Sequence, residues 1–340
     1  MALNPSDGWG YYSALSISGA VSDYQMKLDI RVGSSTNNDP ASGIIYDDNH
    51  CYYNSGSDVC KDHRFGSTSG PATATQLYEW TEEVTTDVGR VVWVNISSYS
   101  TIYLFVGNQN ASEYSDGDAT FPDFFDDFND GSFDTSKWNA YYGSPVEEEG
   151  YLKLTFDRVK SIDTFSYNTK IRMRWRRVAG NQYGLVGVGY SSYMDDTNAL
   201  CTNQYTRTDY QTYIGYRSEK DNTAGGHATN IQIDTNWHIS DIKRLQISCT
   251  YLTDGGEEYT ENNTTYIPTI ALPVKFYCRQ SGDKMWVDWV FVAKYSSSEP
   301  SWSNFGEWTT IGGRPKHPIT HLDKGPHPRS RLGFMPRLGL

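Results

Sequence analysis

Two short stretches of this chain alternate so strictly that they leave little choice of fold. In Tyr24 to Val32 (YQMKLDIRV), Tyr24, Met26, Leu28, Ile30 and Val32 fall on one side and Gln25, Lys27, Asp29 and Arg31 on the other. In Lys170 to Arg176, Ile171, Met173 and Trp175 lie opposite Arg172, Arg174 and Arg176. Successive side chains of a strand point to opposite faces, so both stretches read as strands with one core face and one solvated face. Further strand-like runs recur along the chain, among them SALSIS, VVWVNI, TIYLFV, GYLKLTF, YGLVGVGY, KRLQISCTYL, PVKFYCR and KMWVDWVFVAKY. Gly, Asn, Asp and Ser separate them as turn residues. No window places apolar residues at helical spacing, so the fold expected is all-β.

The 340 residues suffice for two such units. The break falls between Thr101 and Trp138. There the run TIYLFV ends at Gly107-Asn108, a polar stretch follows, and Phe121 to Phe128 then interleaves aromatics with carboxylates. The expected organisation is a β-sandwich over 1–120, a second sandwich over 121–297 and a separate segment over 298–340. A formal charge of -12 argues against general nucleic-acid binding, which needs a positive surface. Every apolar run falls well short of the roughly 18 residues that span a bilayer as a helix, so no membrane span is expected. The opening MALNPSDGWG lacks the charged and apolar regions of a signal peptide. Either a leader has been removed, or the protein reaches its destination by assembly and cell lysis, as virion proteins do.

In the first half, Trp9 with Tyr11-Tyr12 is followed in order by YQMKLDI, DVCKDHRFGSTSG, LYEWTEE, VVWVNI, TIYLFVGN and SDGDATF running into FFDDF. This order resembles the domain-of-unknown-function family numbered 2341, over residues 1 to about 120. The Cys51 to Cys60 insertion and Phe105-Val106 depart from the family pattern. The resemblance implies a small β-sandwich of extracellular, surface and viral multidomain proteins, often beside lectin-like domains, and no known reaction. The second half, opening with DDFNDGSFDTSKWN and closing with VDWVFV, resembles a concanavalin-like or laminin-G-like jelly roll over about 121–297.

After Ser298 the chain turns rich in Pro and Gly, and from Glu307 on it turns basic. Pro removes backbone donors and favours extended chain, so a third core is not expected here. Apolar residues spaced among the cations suggest an arm that orders against another subunit, carried by Arg314, Arg329, Arg331, Phe334 and Arg337. A homo-oligomer, or other virion or surface subunits, are the partners that such an arm implies.

Cys51 and Cys60 bracket a Tyr, Asn, Gly and Ser loop at a spacing compatible with a local disulfide. Zinc is disfavoured, since no CxxC pair exists and His50 and His63 are not at finger spacing. Paired catalytic acids on one strand face need even spacing, and no strand here carries Glu-x-Asp-x-Glu. KMWVDWVFV offers Asp288 alone, and no Gly-x-Ser-x-Gly elbow is present. No catalytic residue is therefore assigned. In similar jelly rolls a Ca²⁺ bridges an early acidic residue to the Asp of the closing strand. Carried over, that implies structural calcium at Asp127 and Asp288. Trp237 and Tyr193 are candidate glycan contacts, because aromatic rings stack on sugars. The function expected on these grounds is a non-enzymatic structural protein of the virion surface, such as a capsid decoration, turret or tail fibre, or an extracellular appendage presenting lectin-like domains. The alternatives are a secreted carbohydrate-binding module and, less favoured, a glycoside hydrolase.

Overall fold

A computed structural model of the chain describes residues 3, 8–179, 185–191, 201–207, 213–256 and 258–312. Its architecture is almost wholly β, as the alternation requires. The first unit stacks two sheets. One runs in the order Ser301–Phe305, Tyr11–Ser18, Thr101–Val106, Arg64–Gly66, with Thr309–Thr310 also on Tyr11–Ser18; the other runs Ile44–Tyr46, Gln25–Arg31, Gly89–Asn95, Glu79–Thr85. The core between them takes Tyr24, Met26, Leu28 and Ile30 from one side, and Leu15, Ile17, Ile102 and Leu104 from the other. The pattern read in YQMKLDIRV is the one the fold uses.

The second unit is a larger sandwich. One sheet runs Val146–Glu148, Tyr151–Thr155, Lys284–Lys294, Thr169–Ala179, His238–Arg244, Cys249–Thr253, Tyr259–Glu261, with Phe124–Asp126 also on Lys284–Lys294. The opposing sheet runs Thr223–Gln232, Tyr213–Lys220, Cys201–Arg207, Leu185–Ser191, Leu272–Cys278, Arg158–Phe165, Trp138–Tyr142. Ile171, Met173 and Trp175 enter the core between them together with Val287, Val290, Val188 and Phe276. Gly187 serves packing, since a Cβ there would sit 2.2 Å from the Tyr277 ring. No helix among the described residues is long and apolar enough to cross a membrane.

The segment after Ser298 differs from the expectation of an extended arm that orders against another subunit: its first strand closes a sheet of its own chain. Ser301–Phe305 pairs antiparallel with Tyr11–Ser18, placing Phe305 opposite Leu15 and Trp302 opposite Ile17. Trp302 and Phe305 are buried in the first unit's core, and the Trp302 Nε1–H donates to Lys27 O at 2.8 Å. The second sandwich is thus inserted before the last strands of the first. An edge strand left bare exposes backbone donors and acceptors, and the returning segment covers that edge. Arg314, Arg329, Arg331, Phe334 and Arg337 lie outside the described residues.

The units meet through their outer faces. Trp80 and Trp93, which point away from the first core, pack with Phe121, Phe125, Trp289, Phe291 and Ala293. Phe121 stacks on Phe291 with ring centroids 3.8 Å apart, and Trp80 meets Phe125 and Trp289 edge-on at 5.2 and 5.3 Å. Such ring pairs stabilise beyond the area they bury.

Replacing a buried ring of the returning strand by alanine costs about 3–5 kcal/mol in cores of this kind. Trp302→Ala is expected to lower the urea midpoint of the first unit accordingly. A midpoint unchanged from wild type would mean that Ser301–Phe305 does not close this sheet.

Candidate functional site

The outward face of Thr169–Ala179 carries three arginines with three different surroundings. Arg172 donates from Nε and Nη2 to Glu82 of the first unit, at 3.0 and 2.9 Å, and from Nη1 to Asp241. Burial alone would raise the Glu82 carboxyl, but Arg172 and then Lys27 hold it below its usual range, so it is an ionised clamp between the units. Arg174, two residues on, pairs with Asp288 and lies over the Trp237 ring at 4.9 Å. Arg176 lies over Trp286 at 4.1 Å and over Trp237 at 4.8 Å. A face expected to be solvated is therefore joint at one end and aromatic surface at the other.

At the aromatic end, Tyr151 stacks on Trp286 with centroids 5.6 Å and planes 17° apart, and meets Trp237 at 5.1 Å. All three rings are only partly buried. Tyr151 and Trp286 lie on neighbouring strands of one sheet and Trp237 stands just before its His238–Arg244 strand, which is why residues far apart in sequence share this surface.

Beside Arg174 the outer face of the sheet and the edge of the first unit enclose a cavity of about 330 Å³. Its walls carry five carboxyl groups, Glu82, Glu83, Glu113, Asp127 and Asp288, together with Trp80 and Trp289. Asp127 and Asp288 both line this cavity. Burial lifts the Asp288 carboxyl above its ordinary range, Arg174 opposes this, and the charge of Asp127 adds to it. Among the described residues no third Asp, Glu, His or Cys converges tightly with this pair. The neighbouring acids of the FFDDF segment divide by alternation. Asp126 turns inward and accepts from the Trp138 Nε1–H at 2.6 Å, while Asp127 faces the cavity.

Sequence reasoning sought acids along a single strand and so missed this gathering, to which four separate segments contribute. The visible signal was LYEWTEE, whose Trp80 and Glu82 share the outward face of an otherwise unremarkable edge. Trp237 lies in the aromatic surface and not in the cavity. Tyr193 is outside the described residues. Cys51 and Cys60 stand side by side as buried thiols, not joined by a bond.

Burial and then a hydrogen bond with Asp130 push the Glu147 carboxyl up to about 7. Its Oε1 also accepts from Gly131 N at 3.0 Å. A carboxyl raised by folding contributes stability that is complete below its unfolded value and is lost as pH rises through the folded one. The melting temperature is therefore expected to fall between about pH 4.5 and 7, with the non-titrating Glu147→Gln flattening that slope. The same slope in both proteins would remove Glu147 as its source.

Comparison with known proteins gives a match of residues 59–141 to the model for a domain of unknown function (DUF2341). That match starts at Val59, next to the second cysteine of the 51–60 loop, and runs past the boundary near 120 into the first strands of the second unit. No curated protein matches. Similar solved structures include a prokaryotic beta-1,3-1,4-glucanase (lichenase) derived from a mouse hindgut metagenome, at 14% identity, covering 50% of this chain and 98% of that one, with a TM-score of 0.43. A Bacillus licheniformis beta-glucanase is similar at 14% identity, 50% and 97% coverage and a TM-score of 0.42. A beta-1,3-glucanase from Mycobacterium marinum is similar at 11% identity, 50% and 97% coverage and a TM-score of 0.40. The expectation of a non-enzymatic virion component is corrected by these findings: the similar structures include glucanases and a transglycosylase, and none of those named is a capsid decoration or tail fibre.

Proposed function

We propose that this is a carbohydrate-active protein whose substrate is an uncharged glycan chain, held on the aromatic surface and led into the acidic cavity beside it. The observation that carries this reading is the continuity of the two. Arg174 touches both, pairing with Asp288 in the cavity and lying over Trp237 outside it. Sugar rings present C–H faces that stack on Trp and Tyr, and hydroxyl groups that donate to carboxylates. Five carboxyl groups in one cavity repel anionic glycans, so a neutral chain is the better fit.

Within the cavity, Asp288 is the group suited to lend a proton to a glycosidic oxygen, because burial raises its carboxyl above the ordinary range. Asp127, whose charge Asp288 feels, is the neighbouring carboxylate that completes a two-acid arrangement for cleaving a glycosidic bond. Glu82 is not part of this chemistry, being held ionised by Arg172. To act, Asp288 gives up its pairing with Arg174, whose guanidinium retains the Trp237 face.

The test is a panel of soluble neutral polysaccharides, scored for binding by affinity electrophoresis and for cleavage by release of reducing ends. Trp237→Ala is expected to weaken binding about 3- to 10-fold, the range of one ring contact. Asp288→Asn is expected to cut turnover about 10²- to 10⁴-fold while binding persists. Wild-type protein that neither binds nor cleaves any member of the panel would end this reading.

Calcium at Asp127 and Asp288 is decided separately by melting EDTA-treated protein with and without Ca²⁺. A bound ion raises the melting temperature by mass action, and no rise would remove calcium from the site.

A further inference from the structure

We propose that Asp47, Cys51 and Cys60 form a site for a thiophilic divalent cation, zinc being the probe ion, beside the buried carboxylate of Asp62. One ligand atom from each of the first three residues lies within 4.8 Å of the others, and all three residues are buried. A tetrahedral zinc with sulfur ligands at about 2.3 Å holds two sulfurs about 3.8 Å apart, inside the 4.8 Å within which the two thiols and an Asp47 oxygen lie. Asp47 follows the Ile44–Tyr46 strand, Cys51 comes four residues later, and Cys60 returns after the Gly56–Asp58 turn. The two ends of one loop therefore meet here.

Asp62 is the independent observation that points to a ligand. It is fully buried, and its Oδ1 has no hydrogen-bond partner. Its Oδ2, by contrast, accepts from the backbone N–H groups of Tyr52, Gly107 and Asn108 at 2.9, 2.7 and 3.1 Å. The charge of Asp62 acts on both Cys51 and Cys60. An unpaired buried carboxylate oxygen is costly, and a cation at the thiol pair would relieve that cost.

The carboxyl groups of Asp47 and Asp62 both place negative charge beside the thiol pair. The same two charges attract a divalent ion, which replaces the two thiol protons and sends them to solvent with no oxidant consumed. Arg90, whose charge also acts on Cys60, is already held by Val59 O, Ser57 O and Glu113.

The experiment is metal analysis of the full-length protein, purified under reducing conditions and incubated with zinc before exhaustive dialysis. The expected result is about one zinc per chain, released on titration with an organomercurial, together with a melting temperature that falls on chelation. Cys51→Ala, which leaves an apolar group in an apolar core, is expected to retain less than about a tenth of the zinc and to melt at the same temperature with and without chelator. Wild-type protein that keeps no zinc, whether as free thiols or with an intact mass about 2 Da lower from a disulfide, would overturn the proposal.

Discussion

Everything outside the two cores depends on a single seam, where Trp80 and Trp93 of the first sandwich press into Phe121, Phe125, Trp289 and Phe291. Rings at an interface supply large buried area with few rotatable bonds, so the contact orders little that was mobile. The Arg172 clamp on Glu82 and Asp241 crosses the same seam. Buried ion pairs add little net stability compared with apolar packing, but they penalise any arrangement that leaves one partner alone. The rings therefore hold the two units together, while the arginine specifies which way round they sit.

That specification creates the cavity. Glu82, Glu83 and Trp80 belong to the first unit, whereas Asp127, Asp288 and Trp289 belong to the second, and the seam brings the two sets to common walls. The polar belt continues past the rings. Lys170, buried under Trp93, is paired with Glu299 at 3.3 Å, and Tyr24 donates to the same carboxylate at 2.5 Å. Glu299 stands just before the strand that returns to the first unit, so the exit of the chain is tied to the seam as well. Entry at Phe121 and exit at Glu299 are both anchored there, which suits a sandwich inserted within another.

Much of this was legible from residue order. Alternation in YQMKLDIRV and KIRMRWR assigned the core residues of both units correctly, because a period of two leaves only one face for the apolar set. The same alternation was silent about the second face. It marks Arg172, Arg174 and Arg176 as outward and says nothing of what covers them, so a solvated surface was the natural reading of residues that turn out to be a clamp between units, the partner of a cavity carboxylate and a ring contact in turn. The segment after Ser298 misled for a related reason. Pro, Gly and cations dominate its far end, and the short SWSNF strand gains its burial only from pairing with a strand almost the whole chain away.

What the sequence determined by itself was local. It set the strand periods, the turns between them, the acidic balance, and the nearness of Cys51 to Cys60 along one loop. Tertiary structure alone decided which outward faces meet, that acids from four segments share one cavity, that Tyr151, Trp237 and Trp286 form one surface, and that the last strands close the first sheet. The physical reason is that side-chain periodicity is fixed by backbone geometry over a few residues. The partner of an outward face is instead chosen by long-range complementarity of rings and charges, which leaves no repeating mark in the order of residues.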